Sequence, residues 1–304
     1  MLGDLFYWIF NMSIAALICG VPVLLLRLVK RIPRRAVCIL WLIPYLRMCI
    51  PVWLTGRYGL MTLLSRFTTK SVTAHELAHG LSATYMNHVM AANTYFPITY
   101  KVDLFENLFG AASVIWLTVA LALILTFAII YISTLREMRD AQPYKDGVYI
   151  SDKIRTPAVY GILKPKIIIP YRMKDGNLRY VILHERAHIR RMDNLFRLLA
   201  FTVTAAHWFN PMCWLFLKLL LTDMEIACDE SVLARCGTEE KKRYAHALLS
   251  SAEKTNVFAS AFGGAKIRMR IENILSYKKL SALSVIAITV LIAVAAYILL
   301  TNAV

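Results

Sequence analysis

Four long apolar runs dominate the pattern of hydrophobic and polar positions along the chain. They cover residues 5–29, 36–54, 109–132 and 280–300, and they contain few charged residues. A helix needs about 20 apolar residues to cross a bilayer core of about 30 Å. The pattern therefore predicts a multi-pass α-helical membrane protein with four spans. Arg47 interrupts the second run, and we expect it to snorkel to the outer headgroups, with contact to a neighbouring span as the alternative.

The stretch between the third and fourth runs, residues 135–279, has a different pattern and predicts one inserted α+β domain. Its first part contains short β-branched segments, which predict a small meander of strands over 147–150, 158–160 and 166–169. Its second part has helical periodicity and predicts helices over 176–191, 194–207, 211–236 and 239–254. Asp175 is expected to cap the first of these helices. The second is so apolar that we expect it to pack against the membrane spans or the domain core.

Composition and charge support a membrane protein and indicate how its segments are oriented across the membrane. Hydrophobic residues make up 58% of the 304 residues, and the mean hydropathy is +0.54. Soluble domains are usually about 45–50% apolar, so an ordinary cytosolic enzyme is disfavoured. The net charge is +16, and five basic residues lie in the short loop between the first two runs, at Arg27, Lys30, Arg31, Arg34 and Arg35.

The positive-inside rule places this basic loop and residues 135–279 in the cytoplasm. The predicted organisation is therefore a membrane region over 1–134 with three spans and an outer loop at 56–108, a cytoplasmic domain over 135–279, and a fourth span with a short outer tail over 280–304. Both termini then lie outside the cell. The topology accounts for most of the positive charge, so we expect no direct contact with nucleic acid.

The first cytoplasmic helix carries the residues that bear chemistry. The sequence His184-Glu185-Arg186-Ala187-His188 is an HExxH motif. Residues four apart share one face of a helix, so both imidazoles can bind one Zn²⁺ ion while Glu185 serves as general base. The motif therefore predicts metal-assisted peptide-bond hydrolysis.

A catalytic zinc needs a third protein ligand, and the predicted helix 211–236 supplies candidates. Glu225 and Asp229 are again four residues apart. We predict that Glu225 binds the metal and that Asp229 orients a ligating histidine, with the reverse or joint ligation as the alternative. Cys228 lies between them and is expected to be a small core residue rather than a thiolate ligand.

A second HExxH motif lies in the predicted outer loop, at His75, Glu76 and His79. It resembles the histidine motif of intramembrane site-2-type proteases, but the predicted spans lack the aspartate that those enzymes pair with it. A second metal site at this motif is therefore left open only as an alternative to the site at 184–188. His207 and Asp193 are expected to have structural roles, at a helix junction and as a helix cap respectively.

The combined motifs resemble the beta-lactam-sensing signal-transducer and antirepressor family of bacterial membrane zinc metallopeptidases, peptidase family fifty-six. The stretches that carry the resemblance keep the order and approximate spacing of the family and cover 31–35, 154–170, 184–193, 207–211 and 223–230. The resemblance implies a zincin-like (gluzincin) domain in the cell membrane, with His184, His188 and Glu225 as zinc ligands, Asp229 beside them, and Glu185 as general base.

The resemblance also implies substrates. Members of the sensing branch cleave their own cytoplasmic domain and trigger loss of a DNA-bound repressor, and the self-cleavage region would correspond to Ala261 and Phe262. We expect the chain to depart from that branch by lacking the outer penicillin-binding domain, since the sequence stops at Val304, and its outer loop carries HELAHG. We therefore expect a membrane zinc endopeptidase that acts on itself or on a cytoplasmic repressor. The alternatives are a non-catalytic transducer with the same fold and a site-2-type protease, and a homodimer is left open.

Overall fold

The computed structural model describes residues 2–29, 31–50, 56–60, 62–63, 103–145, 147–154, 156–173, 178–236, 240–253 and 257–301. Three of its helices are long and apolar enough to cross a membrane. They are α1 (Leu2–Leu28), α4 (Asp103–Glu137) and α10 (Ala282–Leu300), and they correspond to the first, third and fourth apolar runs. The chain is thus a helical membrane protein, as the sequence predicts.

The second apolar run forms two short helices in place of one continuous helix. These are α2 (Arg34–Leu40) and α3 (Leu42–Cys49), which meet at Trp41, and residues 51–54 lie outside the described part of the chain. Pro44 explains the break. Its ring has no N–H and would clash with the carbonyl of Leu40, four residues earlier, which is where α2 ends.

Arg47 is not exposed at the membrane surface, so the snorkelling prediction is wrong. Its side chain is buried and donates hydrogen bonds to the carbonyls of Leu299 and Thr301. The last carbonyls of a helix have no partner within the helix, so a guanidinium group at the end of α10 satisfies them. Arg47 therefore joins α3 to α10, which agrees with the alternative that it contacts a neighbouring span.

The inserted region begins with a four-stranded mixed sheet. Its strands are β1 (Gln142–Pro143), β2 (Val148–Ser151), β3 (Ala158–Tyr160) and β4 (Lys166–Pro170), in the order β1-β2-β4-β3. The predicted strands are present, but the predicted meander is wrong, because β4 lies between β2 and β3 and pairs with β2 in parallel. Strand β3 consequently forms an edge of the sheet.

Within the described part of the inserted region, five α-helices follow the sheet. They are α5 (Arg179–Arg190), α6 (Asp193–Ala206), α7 (Pro211–Leu233), α8 (Glu240–Glu253) and α9 (Val257–Ser276). Helix α5 begins at Arg179, after the predicted start at 176, and Leu178 occupies its N-cap without a side-chain cap hydrogen bond. Asp175, the predicted cap, lies outside the described part of the chain. Helix α9 was not predicted, because the glycine pair Gly263-Gly264 in its first half disfavours a helix.

Helices α6 and α7 form a hairpin that packs among the membrane helices, as predicted for the apolar helix α6. One hydrophobic cluster contains Val23 of α1, Trp41, Ala200 of α6, Phe216 of α7 and Leu299 of α10. The ring of Phe216 occupies the space that a Cβ atom at Gly20 would need. The site described below therefore lies at the end of a hairpin that is held by the membrane helices.

Candidate metal centre

Helix α5 brings both histidines of the 184–188 motif to one side. The Nε2 atoms of His184 and His188 are 3.2 Å apart, as expected for residues one turn apart on a helix. The opposite faces of α5 are fixed by packing, with Ile182 and Ile189 against the sheet and Leu183 against α8. The packing leaves the two Nε2 atoms directed to one point.

Glu225 on α7 lies at the same point. Its carboxylate oxygens are 3.5 Å from Nε2 of His184 and 3.7 Å from Nε2 of His188. One donor atom from each of the three residues lies within 4.8 Å of the other two. Two imidazoles and a carboxylate are a ligand set used by catalytic zinc.

Each imidazole is held from behind by a buried carboxylate. Nδ1 of His188 is 2.7 Å from Oδ2 of Asp193, and Nδ1 of His184 is 3.2 Å from Oδ1 of Asp229. The Tyr244 hydroxyl donates to Asp229 over 2.6 Å and lies 3.0 Å from Nδ1 of His184. Such carboxylates fix the tautomer and the orientation of ligating histidines, and here both Nε2 atoms face Glu225.

Two arginines also reach this cluster. Arg197 of α6 donates to Oε1 of Glu225 over 2.6 Å. Arg270 of α9 donates to both oxygens of Asp229 over 2.8 Å, and its Nη1 atom lies 3.6 Å from Glu225. The arginines therefore balance the carboxylates and tie α6 and α9 to the site.

The electrostatics of the cluster favour positive charge at the two imidazoles. Burial by itself lowers the pKa of His184, but hydrogen bonds to Asp229 and Glu225 outweigh it and raise the pKa to about 9. Burial by itself raises the pKa of Glu225, but the two histidines hold it well below its usual value. An arrangement that stabilises a proton between these groups also stabilises a divalent cation, so the residues fit Zn²⁺.

A cleft of about 290 Å³ opens onto these groups. Its lining includes Ala158 and Val159 of the edge strand β3, Glu185, and Ala247 and Leu248 of α8. The Asn194 side chain donates to the carbonyls of Val159 and Gly161 and so ties the end of β3 to helix α6. The cleft thus has a strand along one wall and a buried carboxylate, Glu185, beside the two histidines.

The structure brings together part of the set of residues that the sequence predicted for the site. His184, Glu185, His188 and Glu225 line one cleft, and Asp229 lies behind His184, in the arrangement predicted for it. Their roles in metal binding and catalysis stay predictions. Residues His75, Glu76 and His79 lie outside the described part of the chain. Ala261 and Phe262 lie in the first half of helix α9, over 257–266, where only the backbone is described.

Three assignments of single residues can be compared with the structure. Asp193 is not a helix cap, because Met192 occupies that position, with a left-handed backbone (φ 55°), and the Asp193 carboxylate bonds to His188. Cys228 is fully buried, and its thiol donates to Asp193. His207 ends α6 and bonds to the Val203 carbonyl, which agrees with a junction role.

Arg197, Arg270 and Tyr244 were missed by the sequence analysis. Arg270 is 41 residues from Asp229 along the chain, and no local spacing connects the two. Arg197 lies four residues after Asp193, so the two share one face of helix α6. This spacing was the local signal that could have indicated Arg197.

The chain belongs to the BlaR1 peptidase M56 family, whose model matches residues 7–275. This membership confirms the resemblance given by the sequence motifs and agrees with a metallopeptidase-type domain. The methicillin resistance mecR1 protein of Staphylococcus aureus is 32% identical over 114 residues, which cover 36% of this chain and 20% of that protein.

Two further relatives carry the name regulatory protein BlaR1. The protein of Bacillus licheniformis is 29% identical over 143 residues, which cover 44% of this chain and 24% of the relative. The protein of Staphylococcus aureus is 24% identical over 249 residues, which cover 71% of this chain and 42% of the relative. The matched part of the chain thus spans less than half the length of these curated relatives.

Proposed function

We propose that this chain is a membrane-anchored zinc metalloendopeptidase of a bacterial signalling system. The observation that carries the proposal is the convergence of His184, His188 and Glu225, with a buried carboxylate behind each imidazole. These three residues would hold one Zn²⁺ ion. When bound, the ion would supply Lewis-acid polarisation of a peptide carbonyl and acidification of a water molecule.

The residues of the chain would perform the remaining steps. Glu185 is buried beside the histidines in the cleft and would accept the proton of the attacking water and deliver it to the leaving amine. Strand β3, an edge of the sheet, would hold the substrate in an extended conformation by strand addition. Arg270, whose guanidinium group also lines the cleft, would orient the substrate near Glu225.

The proposed topology has four spans, with α2 and α3 together taking the place of the second. The peptidase domain would then lie in the cytoplasm and both termini outside, as the basic loop at 27–35 indicates. A gluzincin fold for the inserted domain is part of the same proposal. A cytoplasmic repressor and the chain itself are the proposed substrates, because the matched relatives include proteins named regulatory, and Ala261 and Phe262 mark the proposed self-cleavage region.

The catalytic proposal is tested with Glu185→Gln, which removes the base and keeps the side-chain volume. We expect the purified variant to retain zinc and to lose cleavage by about 100-fold or more, the range for general-base catalysis. His246→Gln, on the exposed side of α8, is the matched control and should cleave normally. A Glu185→Gln protein that cleaves itself or a repressor at the normal rate would remove Glu185 from the mechanism.

A non-catalytic transducer is the second candidate, and one observation favours it. Both carboxylate oxygens of Glu225 face guanidinium groups, of Arg197 and Arg270, and these ion pairs compete with a metal for the same oxygens. In that case the purified chain would bind no zinc, and Glu185→Gln would leave signalling intact in cells.

A further inference from the structure

A second, larger cavity of about 640 Å³ lies between helices α2–α3 and the hairpin α6–α7. It is separate from the metal-site cleft and is mostly apolar. Among its lining residues, only Arg35, Arg191 and Asp193 are charged. Ligand pockets typically have a volume of about 300–1,000 Å³ and a mostly apolar lining with a few polar groups that orient the ligand.

The charges are confined to one end of the cavity. Helix α6 runs beside α2 and α3 in the same direction. Arg191, just before α6, contacts Cys38 of α2, and the Thr204 hydroxyl near the end of α6 lies 3.4 Å from that of Tyr45 in α3. Arg35 lies in the first turn of α2, whereas Cys49 ends α3. Residues 35–49 would extend over about 20 Å, more than one leaflet of a bilayer core of about 30 Å. The cavity therefore has a charged end and an apolar end at the spacing of a phospholipid.

The surroundings of the charged end have an excess of positive charge. Arg27 and Arg34 pair with Asp223, and Arg35 pairs with Glu230. Arg191 pairs with Asp193, which also bonds to His188. More guanidinium groups than carboxylates gather here, which complements an anionic headgroup.

We propose that this cavity binds one anionic phospholipid. The phosphate lies near Arg35 and Arg191, and one acyl chain extends along Leu46, Leu199 and Val203. The side chains of Leu46 and Leu199 are 37% and 52% exposed, so the cavity is open at its side and would admit a lipid there. The proposal does not depend on peptidase activity.

The unaltered full-length protein provides the first test. It is reconstituted in nanodiscs with a trace of phosphatidylglycerol that carries a photoreactive group in its acyl chain, and adducts are mapped by mass spectrometry. We expect adducts concentrated on α3 and α6, at positions such as Leu46, Leu199 and Val203. Adducts spread equally over the outward face of α10, at Ile286 and Val290, would overturn the proposal.

Two variants test the two ends of the cavity, with lipid retention measured by native mass spectrometry. Ala200→Phe fills the apolar part and should weaken retention of phosphatidylglycerol by about tenfold. Val290→Phe, on the exposed face of α10, is the matched control and should retain it. Thermal unfolding of each variant distinguishes a filled cavity from a misfolded chain.

Arg35→Gln should weaken the retention of phosphatidylglycerol by about fivefold, because one basic group near the anionic headgroup is removed. The retention of phosphatidylcholine should stay unchanged. Arg268→Gln, an exposed arginine on α9, is the control. Soluble glycerophosphoglycerol should not displace the lipid, since it lacks the acyl chain. Equal retention of the two lipids by the wild type, or displacement by the soluble headgroup, would contradict the proposal.

Discussion

Individual residues in the candidate metal centre lie in pairs, each imidazole with its own carboxylate. Asp193 and Asp229 come from different helices, yet both bond to the Nδ1 atom of a histidine of the motif. The sequence predicted such a role for Asp229 because of its spacing from Glu225. The sequence did not predict this role for Asp193, because an aspartate between two predicted helices is also typical of the N-cap of the second helix.

Asp193→Asn tests the carboxylate behind His188. We expect zinc affinity to fall by about 10- to 100-fold, because such partners orient the ligand and raise its basicity. Competition with a chromogenic zinc chelator measures the affinity. Asp152→Asn, on the exposed turn after β2, is the matched control. An unchanged affinity in Asp193→Asn would mean that the Asp193 carboxylate does not support His188 as a ligand.

Arg270→Met tests the guanidinium group shared by Asp229 and Glu225. Its loss leaves the buried Asp229 carboxylate without its guanidinium partner, so we expect the free energy of unfolding to fall by about 3–5 kcal/mol in the presence of a chelator. Denaturant unfolding measures the change. Arg268→Met removes a nearby exposed pair with Glu272 and should cost about 0.5 kcal/mol or less. Equal stability of the two variants would show that Arg270 does not support the site.

At the scale of elements, helix α7 connects the membrane helices to the candidate metal centre. Its first half packs in the membrane-helix cluster through Phe216 and Leu220, and its second half carries Glu225 and Asp229. The sequence predicted this helix and its start at Pro211. It could not predict the order of the sheet strands, because short β-branched segments do not specify which strands pair.

The edge strand β3 is predicted to hold the substrate, and Asn194 ties its end to α6. Asn194→Ala removes the donor to the carbonyls of Val159 and Gly161. We expect KM for a peptide substrate to rise by about fivefold, the effect of losing roughly 1 kcal/mol of hydrogen bonding, while kcat and zinc content stay near normal. A fall in kcat with unchanged KM would instead assign Asn194 to the chemical step.

At the scale of the whole molecule, the inserted region and the membrane helices share one hydrophobic cluster. Trp116 of α4 donates to the Ala206 carbonyl, and the Asn210 side chain donates to Ser13 of α1, so the tip of the α6–α7 hairpin contacts two membrane helices. Apolar periodicity predicted that α6 would pack in this way. The contacts at the tip link residues 90 or more positions apart, which no local pattern predicts.

Accessibility to a membrane-impermeant thiol reagent tests the proposed topology. Tyr58→Cys and Lys153→Cys place thiols at exposed positions on opposite sides of the proposed membrane. We expect Tyr58→Cys to react in intact cells and Lys153→Cys to react only after the cells are opened. The wild type, with its six native cysteines, gives the background. Reaction of Lys153→Cys in intact cells would reverse the orientation.

The most direct test of the proposed metal centre is the zinc content of the purified full-length protein, measured by elemental analysis beside His184→Ala, Glu225→Ala and His75→Ala. We predict one zinc ion per chain in the wild type and in His75→Ala, and almost none in His184→Ala and Glu225→Ala. A wild type without zinc, or a loss of zinc in His75→Ala alone, would contradict the proposal.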